Sequence, residues 1–136
     1  MAQERLVVTL VDDLPPGLAI NAGALLGITL GRLFPQIVGA DVVDASGTTH
    51  PGISTRALPI LKASPERLAE LAGKARTDPR VTVIDLPRAA QQARTYAEYS
   101  RRLEGLPTDG QHVVGVALHG PHDTLTSLTG DLPLYR

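Results

Sequence analysis

Residues 5–11 read Arg-Leu-Val-Val-Thr-Leu-Val, a β-branched-rich run with little polar interruption. That pattern predicts a strand buried on both faces. Pro15 and Pro16 then stop the sheet and pre-set the first turn of a helix, predicted to run to about Phe34. No charged residue occurs from Leu14 to Gly31, so the helix is expected to lie buried inside the protein. Gly23, Gly27 and Gly31 recur along it every four residues. Each costs about 1 kcal/mol relative to alanine in a helix interior, and close approach to the underlying sheet is the expected compensation. Residues 40–50 predict a strand, a turn at Ser46-Gly47 and a short returning strand. Residues 57–63 form another apolar run, with Pro59 marking an edge or bulge. Ser64 caps the next helix, whose first turn holds Pro65 and Glu66 and whose stripe is Leu68, Leu71, Ala72 and Ala75.

Asp78-Pro79 ends that helix, and residues 80–86 predict the next strand. Pro87 opens a third helix with Ala89, Ala93, Tyr96 and Leu103 inward and Arg94, Glu98, Arg101 and Arg102 outward. Residues 106–110 make a turn and 112–118 a central strand. Gly120-Pro121 leads into a short last helix closed by Gly130. Strands alternating with helices predict one α/β domain over residues 1–136, three-layered, with a mixed, mostly parallel sheet and right-handed crossovers.

Composition narrows the function classes. The 136 residues suit one domain, which at this size buries about 68–70% of its unfolded surface. With one Phe and three Tyr, the core is aliphatic and offers a poor stacking platform for nucleobases. The net charge of −1 lacks the basic excess of a protein that tracks a phosphate backbone. The absence of cysteine excludes disulfides, thiolate metal sites and a cysteine nucleophile. The charge-free segment approaches the roughly 20 residues of a membrane span. It opens on Pro15-Pro16-Gly17 behind Asp12 and Asp13, however, and lacks a basic signal-peptide flank. A cytoplasmic protein without a membrane segment is the expectation.

The opening Leu-Val-Asp-Asp-Leu-Pro-Pro-Gly-Leu-Ala-Ile-Asn-Ala-Gly-Ala-Leu-Leu-Gly, the central Asp-Ala-Ser-Gly-Thr-Thr-His-Pro-Gly-Ile-Ser and the closing Leu-Thr-Gly-Asp-Leu-Pro-Leu-Tyr-Arg together resemble a family known as domain of unknown function 2000. That family is similar in fold to the type II peptidyl-tRNA hydrolases, which are small mixed α/β domains and commonly dimers. The resemblance implies the same fold and a homodimer, with tRNA as a weakly supported partner. Asp13-Leu14 and Gly17 match the hydrolase's Asp-Leu and Gly, Asn21 falls near its Gln, and Thr129-Gly130-Asp131-Leu132 matches its closing motif. Leu18 stands where the hydrolases carry lysine, and leucine cannot hold a phosphate or polarise an ester.

The most chemical-looking stretch is His119-Gly120-Pro121-His122-Asp123, expected where the last strand hands over to a helix. A histidine there suits a general base, oriented by Asp123 or a carboxylate from another loop. Alternatively His119 ends a strand and Asp123 caps a helix. A metal set of His119, His122 and His50 is chemically workable, but a Gly-Pro turn gives the close pair no fixed register. Asp12, Asp13, Gly17 and Asn21 gather at the start of the first helix. Two aspartates oppose an anion there, while a buried Asn21 amide would need partners, a ligand among them. The arginines of the third helix, interleaved with Glu98 and Glu104, read as a solvated face. No Walker loop, Gly-x-Ser-x-Gly elbow or dinucleotide fingerprint occurs, and no cofactor is expected.

Two functions follow as expectations. One is a non-hydrolytic member of the fold that binds a small molecule or a partner through Asn21, Gly17, Asp12 and Thr129. The other is an acyl-ester hydrolase in which Asn21 and Asp13 position the ester and His119 or His122 activates water.

Overall fold

The first apolar run becomes β1, Glu4–Val11, in the computed structural model, which describes residues 3–136. Its six residues from Leu6 onward are all buried. Pro15 and Pro16 open α1, Pro16–Leu33, as their fixed φ and missing N–H allow. The 40–50 segment forms the hairpin of β2, Val42–Val43, and β3, Thr49–His50, exposed along its length. Gly47 turns it at φ +86°, a left-handed value suited to glycine. At its base Gly52 approaches the Gly39 carbonyl so closely that no β-carbon fits.

The chain continues through β4, Ile60–Ala63, and α2, Pro65–Arg76, capped by Ser64 Oγ accepting from the Arg67 N–H at 3.1 Å. Then come β5, Thr82–Pro87, two short helices α3, Arg88–Gln92, and α4, Tyr96–Glu104, then β6, Val113–Pro121, and α5, His122–Thr129. The third helix expected as one piece is therefore broken. Ala93 is extended and Thr95 caps a fresh start by accepting from the Glu98 N–H. Tyr96, expected inward, is 80% exposed.

The sheet order is β4-β1-β6-β5. β1, β4 and β5 run one way and β6 alone runs back between β1 and β5, so one ladder is parallel and two are antiparallel. The sheet is mixed as expected, but it is not mostly parallel. The cause is the connection: α3 and α4 contact chiefly each other and β5 instead of crossing the sheet face, so the chain returns beside β5 in the opposite sense.

Alternation along β6 separates two faces. A β-carbon on Gly115 would meet Leu26 of α1, whereas one on Gly120 would meet Leu125 of α5. Positions 115 and 120 point to opposite sides, so α1 covers one face and α5, in contact with α2, the other. The layers are helix, sheet and helix. The aliphatic core runs through both, with Leu6, Val8, Leu26, Leu30, Leu68 and Leu71 among its sealed side chains.

Two expectations about α1 need correction. It buries only Ala19, Ala22, Leu26 and Leu30, while Ile20 and Ile28 are 74% and 69% exposed. The glycine ridge does not press on the sheet either. A β-carbon on Gly23 would touch Ile60 at 3.6 Å, and those on Gly27 and Gly31 would meet nothing. The helix lies on the sheet by one stripe and turns the rest of its apolar surface outward.

Candidate functional site

His119 lies inside β6 and not beyond its end, opposite Leu6 of β1 on the α1 side of the sheet. There it stacks on Phe34, the residue that ends α1, with ring centroids 3.7 Å apart and planes 17° from parallel. Its Nε2 is 3.9 Å from Glu4 Oε2, an ion-pair distance too long for a hydrogen bond. The imidazole is 14% exposed. Burial pushes its pKa below the ordinary histidine value, Glu4 opposes that shift and Arg56 adds to it. His119 is thus a neutral, shielded imidazole facing a carboxylate. Pattern reading found the histidine but missed Glu4, Phe34 and Arg56, which only strand register and the end of α1 bring to it.

His122 opens α5, where its Nδ1 lies 3.4 Å from Asp123 Oδ1. Asp123 is fully exposed and makes no side-chain cap. His122 borders a hollow of about 940 Å³ beside the first half of β1, with Glu4, Arg5 and Arg56. Arg56 Nη1 donates to the Glu4 carbonyl there at 2.7 Å. Asp13 belongs elsewhere. From Leu6, level with His119, to Val11 the strand rises roughly 17 Å, and Asp13 lies beyond it. The three residues expected to share a catalytic centre are not brought together.

At the far end of β1, Asp12 donates its backbone N–H to Ala63. Asp13 makes no cap, since the capping position of α1 is Pro15, which has no side-chain acceptor. Asn21 is exposed and not buried, because it sits on the outward side of the helix. Its Oδ1 accepts from Gln91 Nε2 at 3.4 Å, and the same amide donates to the Leu18 carbonyl at 2.9 Å. Asp12 borders a cleft of about 660 Å³ between α1, β4 and the C-terminal tail. Its walls are largely apolar, with Leu10, Leu14, Ile20, Ile60 and Tyr135 among them. Gly17 and Asn21 are not among its walls, and Asn21 faces Gln91 of α3 instead.

Thr129 joins neither place. It is buried on α5, across the sheet from α1, with Oγ1 donating to the Leu125 carbonyl at 2.7 Å. The closing motif instead fastens helices. Arg67 of α2 grips Asp131 through Nε at 3.2 Å and Nη2 at 2.8 Å, and also donates to the Leu128 carbonyl. The central motif is likewise self-contained. Asp44 accepts from the Ser46 and Thr48 N–H groups and pairs with His50 at 2.8 Å. His50 is thus engaged with Asp44, and among the described residues no three metal-ligating side chains converge.

Residues 4–136 match the family described as Protein of unknown function (DUF2000). The chain belongs to the DUF2000 family. Its structure is similar to that of a protein of unknown function, Atu0240 from Agrobacterium tumefaciens strain C58, with a TM-score of 0.89, 19% identity and 100% of each chain covered. At that identity the likeness is one of fold. No curated protein matches. No helix among the described residues of this DUF2000 chain is long and apolar enough to cross a membrane.

Proposed function

We propose that the protein is a binding module that takes a small molecule with an apolar body in the cleft at the start of α1. The cleft carries this reading. Its volume of about 660 Å³ falls in the range of roughly 300–1,000 Å³ usual for small-molecule sites. It opens at the carboxyl end of β1, beside Leu10, Asp12 and Leu14, where open α/β sheets hold ligands, and runs back along α1 to Ile60, the first residue of β4. Asp12, Tyr135 and Arg136 are the polar groups set on a largely apolar wall. Leu18 in place of the hydrolase lysine suits binding without lysine-dependent chemistry.

The test uses the neutral dye N-phenyl-1-naphthylamine, whose emission rises in apolar surroundings. Saturable binding is expected, weakened at least tenfold in Gly23→Leu, whose added side chain grows toward Ile60. Equal binding by that variant overturns the reading. A second copy of the chain is the partner we propose, seated on the outer face of α1. That face holds exposed Ile20 and Ile28 with Ala24 between them, uncharged until exposed Arg32 one turn on, so it suits an apolar patch on the second copy. Sedimentation is expected to show a dimer that Ile28→Lys dissociates.

A second reading, acyl-ester hydrolysis in a fold like that of the type II peptidyl-tRNA hydrolases, is favoured by the Glu4–His119 couple. A neutral imidazole can take a proton from water, and the facing carboxylate stabilises the imidazolium that forms. Release of the blocked amino acid from N-acetyl-aminoacyl-tRNA, lost in His119→Ala, would make it primary. No turnover above background would remove it.

A further inference from the structure

Across the sheet from the α1 cleft, at the same end, a slot of about 490 Å³ separates α2 from the start of β6. We propose that this slot is a second ligand site, for the phosphoryl group of a small phosphomonoester. The assignment is independent of the cleft and rests on three observations.

The first is charge. Arg76, Arg88 and His112 border the slot, with the Thr108 hydroxyl beside them. Arg76 is shared with Asp85 at 3.3 Å. Among the described residues no carboxylate lies within ion-pair distance of Arg88. Two guanidiniums and a hydroxyl match a dianion with three terminal oxygens better than a two-oxygen carboxylate. Asp109, the one acid on the rim, is placed to accept from a ligand hydroxyl.

The second is shape. The α2 wall consists of Ala69, Ala72 and Gly73, small residues at helical neighbour spacing. A β-carbon on Gly73 would meet nothing within 4 Å. Packing does not require this glycine, and a helix interior disfavours it relative to alanine. Its effect is to leave room for an organic body against Val11 and Val114.

The third is backbone strain. His112, at φ +51°, is the one non-glycine residue with positive φ among the described residues. Its carbonyl accepts from the Arg88 N–H at 3.0 Å, which ties the strained residue to the free arginine. Strain of this kind concentrates where a side chain must be aimed at a ligand.

The experiment titrates the full chain with phenyl phosphate, inorganic phosphate and benzoate, followed by calorimetry and by amide chemical shifts. Phenyl phosphate is expected to bind at least tenfold more tightly than either of the others, with shifts centred on residues 72–76, 88 and 108–113. Arg88→Ala is expected to weaken it at least tenfold with an unchanged melting temperature. Gly73→Leu, which fills the slot, is expected to abolish binding while the protein melts no lower. His112→Gly is expected to melt higher and bind more weakly. Binding that survives both Arg88→Ala and Gly73→Leu, or no binding of phenyl phosphate at tens of millimolar, overturns the site. Benzoate binding as tightly as phenyl phosphate overturns the phosphoryl assignment.

Discussion

Thr9 sits in mid-strand, fully buried, and its hydroxyl has no partner among the described residues. A buried unpaired hydroxyl costs about 1–3 kcal/mol. Thr9→Val keeps the shape and removes the group, so it is expected to raise stability by about 1 kcal/mol, read as a higher urea midpoint with an unchanged slope. His119 makes the opposite kind of statement. Its folded pKa is depressed chiefly by desolvation, so below about 6.5 the unfolded chain takes up a proton that the folded chain refuses. Its contribution is present in full above pH 6.5 and is lost as pH falls toward the depressed value. Urea midpoints at pH 7.5 and 5.5 are expected to fall between those points in the wild type, and to fall less in His119→Phe. An equal fall in both would assign the acid sensitivity to another group. Residue identities of this sort were legible in the sequence, but environments were not. Asn21 read as a buried amide because its neighbours are apolar, and only packing shows that they face outward.

Elements were the most legible level, since each strand and helix carries its own period or cap. The break between α3 and α4 also had a signal. Thr95-Tyr96-Ala97-Glu98 has the spacing of a capping box, with Thr95 accepting from the Glu98 N–H and the Glu98 carboxylate accepting from the Arg94 N–H. The apolar stripe from Ala89 to Leu103 concealed it. Pairing between elements was illegible, because the direction of β6 depends on where α3 and α4 pack. The join of α2 to α5 is another long-range choice. Arg67, only 22% exposed, holds Asp131 by two bonds and the Leu128 carbonyl by a third. Arg67→Met keeps much of the aliphatic packing and removes the fork. It is expected to lower stability by about 1–2 kcal/mol in chemical denaturation and to speed exchange of the α5 amides before the rest.

At the scale of the molecule, three strands in one sense gather the ends of β1, β4 and β5 with the beginnings of α1, α2 and α3. The slot sits at that end; on the opposite face the cleft opens there and runs back to Ile60 at the start of β4, whereas His119 lies at the other end. The sequence motifs divided accordingly. The opening one borders the cleft, the closing one binds helices through Asp131 and reaches the cleft through Tyr135, and the His-Gly-Pro-His stretch marks the opposite pole. A single motif thus held structural and candidate binding residues without distinction, since spacing alone does not tell an Arg67 partner from a ligand contact.

The tail has one further consequence. β4 is the outer strand beside β1, yet its free side is occupied: Lys62 donates to the Pro133 carbonyl at 3.0 Å, Tyr135 donates to the Ile60 carbonyl at 2.8 Å, and Leu134 lies opposite Leu61. Residues 133–135 therefore act as a guard on a sheet margin that would otherwise template intermolecular strand pairing. A chain stopped after Leu132 is expected to fold and then aggregate with rising concentration, scattering light and binding thioflavin where the full chain stays clear. Adding back the peptide Pro-Leu-Tyr-Arg should slow that growth.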